Sequence, residues 1–397
     1  MQFFYQLFKQ ETEKMTEWKE YKLGEVCTEL SDGLHKAPVF KEGGEYIFVN
    51  AKNIANGYIV DNDPTKKSTY DEFLKYSSPL NDTTILYSID GTIGNIAIYR
   101  GEKCILGKGA CYMNPNPKIL NRMYLYYELQ SPRFKAYIDQ MSTGSTIQHI
   151  SLKTMRHYVF TCPSLSEQKS IASILSSLDD KIDLLHRENA TLELMAETLF
   201  RQWFVVEAKD EWEEGKLGDE FAFTMGQSPN GDSFNEEGIG VPMYQGNADF
   251  GFRFPTRRVF TTQPTRFAEV NDTLISVRAP VGAQNMATEK CCIGRGVAAF
   301  RYRENPSYYS YTYYKLKSLL EEIKQFNDNG TVFGSISKSD FENLDLVIPD
   351  EKTILSFQQR VKAIDDKIIN NNKQIQTLIQ TRDGLLPKLM SNEIKLI

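Results

Sequence analysis

The chain repeats one pattern twice, and this internal repeat constrains its fold more than any other feature. The string "DDKI" begins at Asp179 and again at Asp365, 186 residues later. The same offset places Pro163 on Pro349, and collinear anchors of this kind argue against chance similarity. Because the offset is close to half of the 397-residue chain, the sequence predicts two tandem copies of one structural unit.

Each copy ends in a segment with a seven-residue apolar repeat. After Pro163 and Pro349, short alternating runs give way to a helical pattern. Roughly 40 residues of helix would be on the order of 60 Å long, too long for one core helix of a compact domain, so each helix is expected to pair with the other. The seams are Ile171, Leu178, Leu185, Leu192 and Leu199 with Leu175, Ile182, Asn189, Ala196 and Trp203 in the first copy, and Phe357, Ile364, Asn371, Leu378 and Leu385 with Val361, Ile368, Ile375, Arg382 and Leu389 in the second.

Two asparagines interrupt these apolar seams. A pseudo-two-fold relation between the copies would make the helices antiparallel. Asn371 corresponds to position 185 of the first copy, so an axis relating it to Asn189 would pass near the helix midpoint. We predict that the two amides meet and fix the register at some cost in stability, the alternative being two independently solvated side chains. Asp179 and Asp180 lie just outside the seam and are expected to face solvent or a partner.

The block that precedes each helix has an α+β pattern. Short strands such as "EYIFVN" and "TTILYSI" are broken by Gly, Asn and Pro, and the stretch "NRMYLYYELQSPRFKAYIDQ" predicts a helix. The expected fold class is α+β, with two globular domains in a tandem pseudo-two-fold repeat, separated by two long antiparallel coiled-coil helices. The expected divisions are 1–17 as an N-terminal extension, 18–164 and 209–349 as the globular domains, and 165–208 and 350–397 as the helices.

Composition and motifs exclude several classes of protein. No apolar run approaches the length of a membrane span, and the first residues are a poor signal peptide, so a cytoplasmic location is expected. The six cysteines show no C-x-x-C spacing, which argues against a structural zinc site. Only four histidines are present, and the sequence contains no phosphate-binding G-x-x-x-x-G-K-[ST] loop and no G-x-S-x-G elbow. A free-standing enzyme is therefore disfavoured.

Charge is distributed unevenly along the chain. The net charge of −6 argues weakly against nucleic-acid binding, but residues 100–156 carry nine basic and three acidic side chains, and residues 245–303 carry nine and four. Arginine and lysine suit guanine edges and phosphates, and asparagine and glutamine suit adenine. Any one arginine is more often a solvated charge or part of a structural ion pair. The cluster is therefore stronger evidence for DNA binding than any one of its members. The candidate DNA-binding residues are Lys36, Lys52, Asn53, Lys66, Lys67, Ser145, Thr146, Gln148 and His149 in the first domain, and Gln245, Asn247, Arg253, Arg257, Arg258, Arg278, Arg295, Thr331 and Lys338 in the second.

The order of these motifs resembles the specificity subunits of type I restriction-modification systems. The run that begins "STGSTIQHIS" contains a Gly-Ser/Thr loop, an Ile-Ser step, a strand that ends in Pro and a Gln-rich helix start. The run that begins "NGTVFGSIS" preserves this order, and the C-terminal "TRDGLLPKLMSNEI" is also typical. The resemblance covers the chain from about Met15 to its end. One departure is that Glu167-Gln168 at the first helix start is replaced by Thr353-Ile354 in the second, so a partner contact through that pair would be one-sided.

The resemblance implies a non-catalytic DNA-recognition subunit. Each of two target recognition domains would read one half of a bipartite double-stranded DNA sequence, and the helices would act as a spacer. Two modification (methyltransferase) subunits would bring S-adenosylmethionine and methylate adenine, while restriction (endonuclease and translocase) subunits would use ATP and Mg to move and cleave DNA. The chain itself would bind no cofactor. The alternative is a coiled-coil interaction scaffold that does not bind DNA.

Overall fold

The computed structural model describes residues 18–62, 65–142, 149–327 and 334–396. Its chain divides into two compact units. The first unit combines Met1–Leu184 with Ile375–Ile397, and the second is Leu185–Gln374. Both long helices therefore contribute residues to each unit. Within the described residues, every helix is too short or too polar to cross a membrane.

The first unit is built around a four-stranded antiparallel sheet of order β2-β10-β7-β8. A three-stranded sheet, β6-β3-β9, pairs β3 and β9 in parallel, and β1 pairs with β11. The strands are β1 (Lys19–Lys22), β2 (Cys27–Asp32), β3 (Tyr46–Val49), β4 (Ile54–Ala55), β5 (Tyr58–Ile59), β6 (Lys67–Ser68), β7 (Ile85–Ser88), β8 (Ile96–Ile98), β9 (Cys104–Leu106), β10 (Ala110–Pro115) and β11 (Val159–Cys162). The helices before the long one are Leu23–Val26, Tyr70–Tyr76, Arg122–Glu128, Pro132–Met141 and Leu152–His157.

The second unit repeats this plan. Its four-stranded antiparallel sheet has the order β13-β21-β18-β19, a five-stranded sheet has the order β14-β16-β15-β20-β17 with β15 and β20 parallel, and β12 pairs with β22. The strands are β12 (Glu213–Lys216), β13 (Phe221–Met225), β14 (Phe234–Asn235), β15 (Val241–Tyr244), β16 (Val259–Thr261), β17 (Phe267–Ala268), β18 (Thr273–Ser276), β19 (Gln284–Met286), β20 (Cys291–Ile293), β21 (Val297–Tyr302) and β22 (Asp345–Ile348). The short helices are Leu217–Glu220, Tyr309–Ser318, Leu320–Lys324 and Lys338–Glu342.

The stretch "NRMYLYYELQSPRFKAYIDQ", which is predicted as one helix, forms two. The first helix ends at Glu128, and the second begins at Pro132. Ser131 caps the second helix, because its side chain accepts a hydrogen bond from the backbone N–H of Phe134. Proline at the first helical position has no N–H to leave unpaired, so the break forms where the Ser-Pro pair occurs.

The two long helices extend over Leu165–Arg201 and Glu351–Met390, and a π-helical turn, Gln202–Val206, continues the first. Their residues pair antiparallel within each unit. In the first unit, Arg382 contacts Asp179, and Leu389 shares a core with residues of the first long helix. In the second unit, the rings of Phe200 and Phe357 lie edge to face at 5.6 Å. Each fully buried leucine or phenylalanine on these seams contributes about 1.5–3 kcal/mol to folding.

The two seam asparagines meet, as the sequence predicts. Asn371 donates a hydrogen bond from Nδ2 to Oδ1 of Asn189 at 2.9 Å, and both side chains are buried. Asn371 Nδ2 also lies 2.9 Å from Glu188 Oε2, and Lys367 lies 3.3 Å from Glu188. The predicted contact is therefore present, and its role in fixing register stays a prediction.

Asp179 has a more defined environment than the expected solvent-facing position. Its Oδ2 accepts a hydrogen bond from the hydroxyl of Tyr127 at 2.6 Å, and its Oδ1 accepts one from Arg382 Nη1 at 2.8 Å. The carboxylate is thus held by two donors within the first unit. The expectation of a solvated or partner-facing group is wrong for Asp179, because both of its oxygens already have partners in the chain.

Candidate nucleic-acid interface

Three predicted lysines of the first unit lie on exposed loops near one cavity. Lys52 and Lys66 line a cavity of about 240 Å³, and Lys36 precedes its wall residue Ala37. Lys66 also lies over the ring of Phe40, with its Nζ 5.0 Å from the centroid. The cavity is lined by Ala37, Phe40, Phe48, Asn50, Lys52 and Lys66. Exposed ammonium groups beside aromatic rings are suited to contact phosphates or base edges.

Asn53, in contrast, is not available to DNA. Its side chain is fully buried, and its Oδ1 accepts a hydrogen bond from the backbone of Asn50 at 3.1 Å. Its Nδ2 donates to the carbonyl of Val60 at 3.2 Å and to the hydroxyl of Thr65 at 2.9 Å. The prediction that Asn53 binds DNA is wrong, because the amide joins the turn before β4 to the segment between β5 and β6.

A charged cluster lies at the end of β7 in the first unit. Asp90 forms an isolated β-bridge with His149, whose Nδ1 is 3.5 Å from its carboxylate. Lys108 Nζ lies 3.8 Å from the other carboxylate oxygen. The predicted residue Lys67 is half-buried and pairs with Asp61 at 2.7 Å. Asp90 and Lys108 were missed as candidates, although "LGKG" at Leu106 matches "IGRG" at Ile293 and marks this loop in both copies.

Arg253 is a structural residue of the second unit. Its side chain is only 2% exposed, and its Nη2 donates to Asp365 Oδ1 at 2.9 Å. The guanidinium lies 3.3 Å from the ring centroid of Tyr313, and Tyr314 donates a hydrogen bond to Asp365. Burial lowers the pKa of Arg253, but the combined electrostatic effects of Asp365, Tyr313, Tyr314 and Glu193 outweigh burial and raise it. The prediction that Arg253 binds DNA is wrong, because a buried aspartate already holds it.

Two other predicted arginines are exposed but paired with acids. Arg257 makes two hydrogen bonds to the carboxylate of Glu289, at 2.5 and 2.8 Å, and these raise its pKa. Arg258 Nη2 lies 2.9 Å from the buried carboxylate of Asp249. An acidic partner reduces the positive charge that each arginine offers to a phosphate or a base.

The remaining predicted arginines share one cavity. Arg278 and Arg295 are exposed and line a cavity of about 520 Å³. Within residues 18–62, 65–142, 149–327 and 334–396, no acidic side chain lies within ion-pair distance of either guanidinium. Arg278 forms an isolated β-bridge with Ser335. The complete lining is Met225, Val277, Arg278, Ala279, Arg295, Gly334, Ser335 and Ile336.

Gln245 lies beside the loop that carries Arg295. A Cβ atom at Gly296 would lie 2.1 Å from the carbonyl oxygen of Gln245, so only glycine permits this approach. Gln245 and Asn247 are both exposed next to a short 3₁₀ turn. Lys338 is exposed and pairs with Glu342 one helical turn away at 3.1 Å. The predicted residues Ser145, Thr146, Gln148 and Thr331 lie outside the described residues.

Comparison with known proteins defines the class. Two copies of the model for the type I restriction modification DNA specificity domain match residues 15–194 and 209–380. A Methanocaldococcus jannaschii protein named "Putative type I restriction enzyme MjaX specificity subunit" is 30% identical over 98% of each chain. The MjaIX specificity subunit of the same organism is 24% identical over 96% of this chain and 97% of its own. A solved type I restriction-modification S subunit from M. genitalium is 20% identical, with a TM-score of 0.59 over 96% of this chain and 98% of that one, and shows the same fold.

Two copies of one α+β unit, each with basic loops around a cavity, therefore define a DNA-specificity protein. The chain belongs to the family of type I restriction-modification DNA specificity subunits. Its function is DNA recognition within such a system.

Proposed function

We propose that each unit reads one half of a bipartite DNA target. The observation that carries this proposal is the repetition of one loop arrangement in both units. Bridges Asp90–His149 and Arg278–Ser335 join matching loops, and an exposed basic side chain lies near each, Lys108 at the first and Arg295 at the second. Two similar readers with different side chains suit a target whose two parts differ in sequence.

Different kinds of side chain contact the phosphate backbone and the base edges of DNA. Exposed lysines such as Lys36 and Lys52 hold phosphates and set the orientation of the duplex. Amides and arginines that have no acidic partner among the described residues, including Gln245 and Arg278, reach base edges. The long helices, which contribute residues to both units, determine how far apart the two half-sites are on DNA.

The chemistry of modification and cleavage belongs to partner subunits. Two methyltransferase subunits carry S-adenosylmethionine and methylate adenine in each half-site, and restriction subunits supply ATP- and Mg-dependent translocation and cleavage. The chain binds none of these cofactors and catalyses no step. In support of this division, the sequence lacks the phosphate-binding and nucleophile motifs of such enzymes.

Salt dependence of duplex binding tests the proposal. The chain would be purified in complex with its modification subunits and titrated with target duplex between about 50 and about 200 mM salt. We expect affinity to fall by about 10³-fold or more, because neutralised phosphates release counterions. Absence of measurable duplex binding across this range would instead support the scaffold that does not bind DNA.

A second assay separates recognition from catalysis. The purified chain is incubated with target duplex and labelled S-adenosylmethionine, with and without modification subunits. We expect methyl transfer only when those subunits are present. Transfer by the chain alone would contradict the proposed division of labour.

A further inference from the structure

The same structural position carries opposite chemistry in the two units. The bridge between Asp90 and His149 in the first unit matches the bridge between Arg278 and Ser335 in the second, because the "DGTIGN" and "RAPVGA" loops align in the repeat. The neighbouring loops also align, with "GKG" at Gly107 facing "GRG" at Gly294. One position is therefore an aspartate in the first unit and an arginine in the second.

Among the described residues, charge at this position has an oppositely charged neighbour in the first unit and none in the second. There the carboxylate of Asp90 lies 3.8 Å from Lys108 and 3.5 Å from His149. In the second unit, Arg278 and Arg295 line one cavity, and no acid of the described chain lies within ion-pair distance of either guanidinium. Two like charges in one cavity raise the free energy of the unbound state, so a ligand that accepts hydrogen bonds from both is favoured.

The lining of this cavity combines the two arginines with an apolar wall. Val277 and Ile336 are buried, Ala279 has a methyl side chain, and the volume is about 520 Å³. This apolar wall lies beside the two exposed guanidinium groups, so a planar base can pack against it while it accepts hydrogen bonds from them. Arginine presents parallel N–H donors, and the major-groove edge of guanine offers two adjacent acceptors, O6 and N7.

We infer that Arg278 and Arg295 form the guanine-reading pair of the second unit, an inference that rests on the proposed function. The half-site read by this unit contains at least one guanine that depends on these two side chains. The corresponding position in the first unit lacks an arginine, so that unit does not read guanine in this way. The two half-sites therefore differ in how guanine is recognised.

Methylation mapping tests the assignment. Cells that lack other adenine methylation would express the modification subunits with the wild-type chain, Arg278→Gln, Arg295→Gln, or the control Lys290→Gln. Lys290 is an exposed cation of the same unit that pairs with Glu269 at 2.7 Å. Each arginine variant is expected to lose about 5- to 150-fold of the discrimination for guanine at one half-site. The other half-site and the Lys290→Gln motif should stay unchanged.

Duplexes that contain 7-deazaguanine provide a second measurement with the purified complex. This base lacks the N7 acceptor, so it should weaken DNA binding by the wild-type complex. It should not further weaken DNA binding by the complex of either arginine variant. If each arginine substitution weakened binding equally for every duplex sequence, the arginines would contact phosphates and the assignment would be overturned. Unchanged guanine discrimination in both variants would overturn it as well. Absence of any chain-dependent methylation with the wild-type chain would instead overturn the proposed function itself.

Discussion

Within the second unit, Asn371 of one long helix donates a hydrogen bond to Asn189 of the other at 2.9 Å. Both amides are buried, and the Asn371 amide also donates to Glu188 Oε2 at 2.9 Å. A buried polar pair of this kind disfavours other registers, because any shift would place an amide against an apolar side chain. The two asparagines that interrupt the apolar seams thus favour one register of the helices.

Removing one of these amides should destabilise the second unit. Asn189→Leu removes one of the two acceptors of the buried Asn371 amide and leaves only Glu188, which costs about 0.5–1.5 kcal/mol. The double variant Asn189→Leu with Asn371→Leu should cost less than the sum of the two single changes. Denaturant unfolding of the four proteins measures this coupling. Asn370→Leu, on the exposed face, is the control, and equal costs for Asn370→Leu and Asn371→Leu would contradict a register role.

Loss of Arg253 should be more costly than loss of an exposed arginine. Arg253→Met leaves the carboxylate of Asp365 buried and uncompensated, for a cost of about 3–5 kcal/mol. Arg257→Met breaks an exposed pair with Glu289 and should cost less than about 1 kcal/mol. Thermal and denaturant unfolding distinguish the two variants. Similar midpoints for both would mean that Arg253 has no structural role.

Glu220 should make stability depend on pH. Burial raises its pKa to about 7, against the opposing effects of Lys315 and of the hydrogen bond from Tyr311. The folded state then holds a proton that the unfolded state releases near pH 4.5. The stabilisation that this proton provides is complete below pH 4.5 and decreases as the pH rises to about 7. Above that pH it is lost, and stability no longer changes with the ionisation of Glu220.

The matched variant Glu220→Gln isolates this effect. Between pH 4 and 8, the free energy of unfolding of the wild type should fall relative to that of Glu220→Gln by on the order of 3 kcal/mol. Denaturant unfolding of both proteins across this range measures the difference. Parallel pH profiles would show that Glu220 is ionised at the same pH in both states.

The length of the helices should determine target spacing. Duplicating residues 178–184 and 375–381 adds one heptad to each long helix, which is about 10.5 Å of helix. We expect the unread spacer of the DNA target to lengthen by about three base pairs, at about 3.4 Å each, with both half-sites unchanged. Mapping of methylated adenines gives the answer, and altered half-site bases would contradict the division between readers and spacer.

The helical part of the fold could be predicted because its pattern is local. Heptad spacing identifies the seams, and the repeat places Asn189 opposite Asn371 before any contact is known. Strands such as Tyr46–Val49 were likewise marked by apolar runs between breaks. The helix break at Pro132 was overlooked although the Ser-Pro signal was present.

The interface was harder to predict because side-chain type does not determine exposure. Arg253 pairs with Asp365, 112 residues away, and no local pattern shows that contact. Its flanking residues give no consistent sign, because Phe254 is buried and Phe252 is exposed. Asn53 was misassigned for the same reason, since its partners lie in a turn that only the fold closes.

Mapping of methylated adenine in cells that express the chain with its modification subunits tests the central claim most directly. The target is compared with that of a chain whose residues 209–349 come from another family member. We expect a two-part motif with methylated adenine in each part, in which the exchange replaces one part and leaves the other intact. A single continuous motif, or an exchange that alters both parts together, would contradict the assignment of one half-site to each unit.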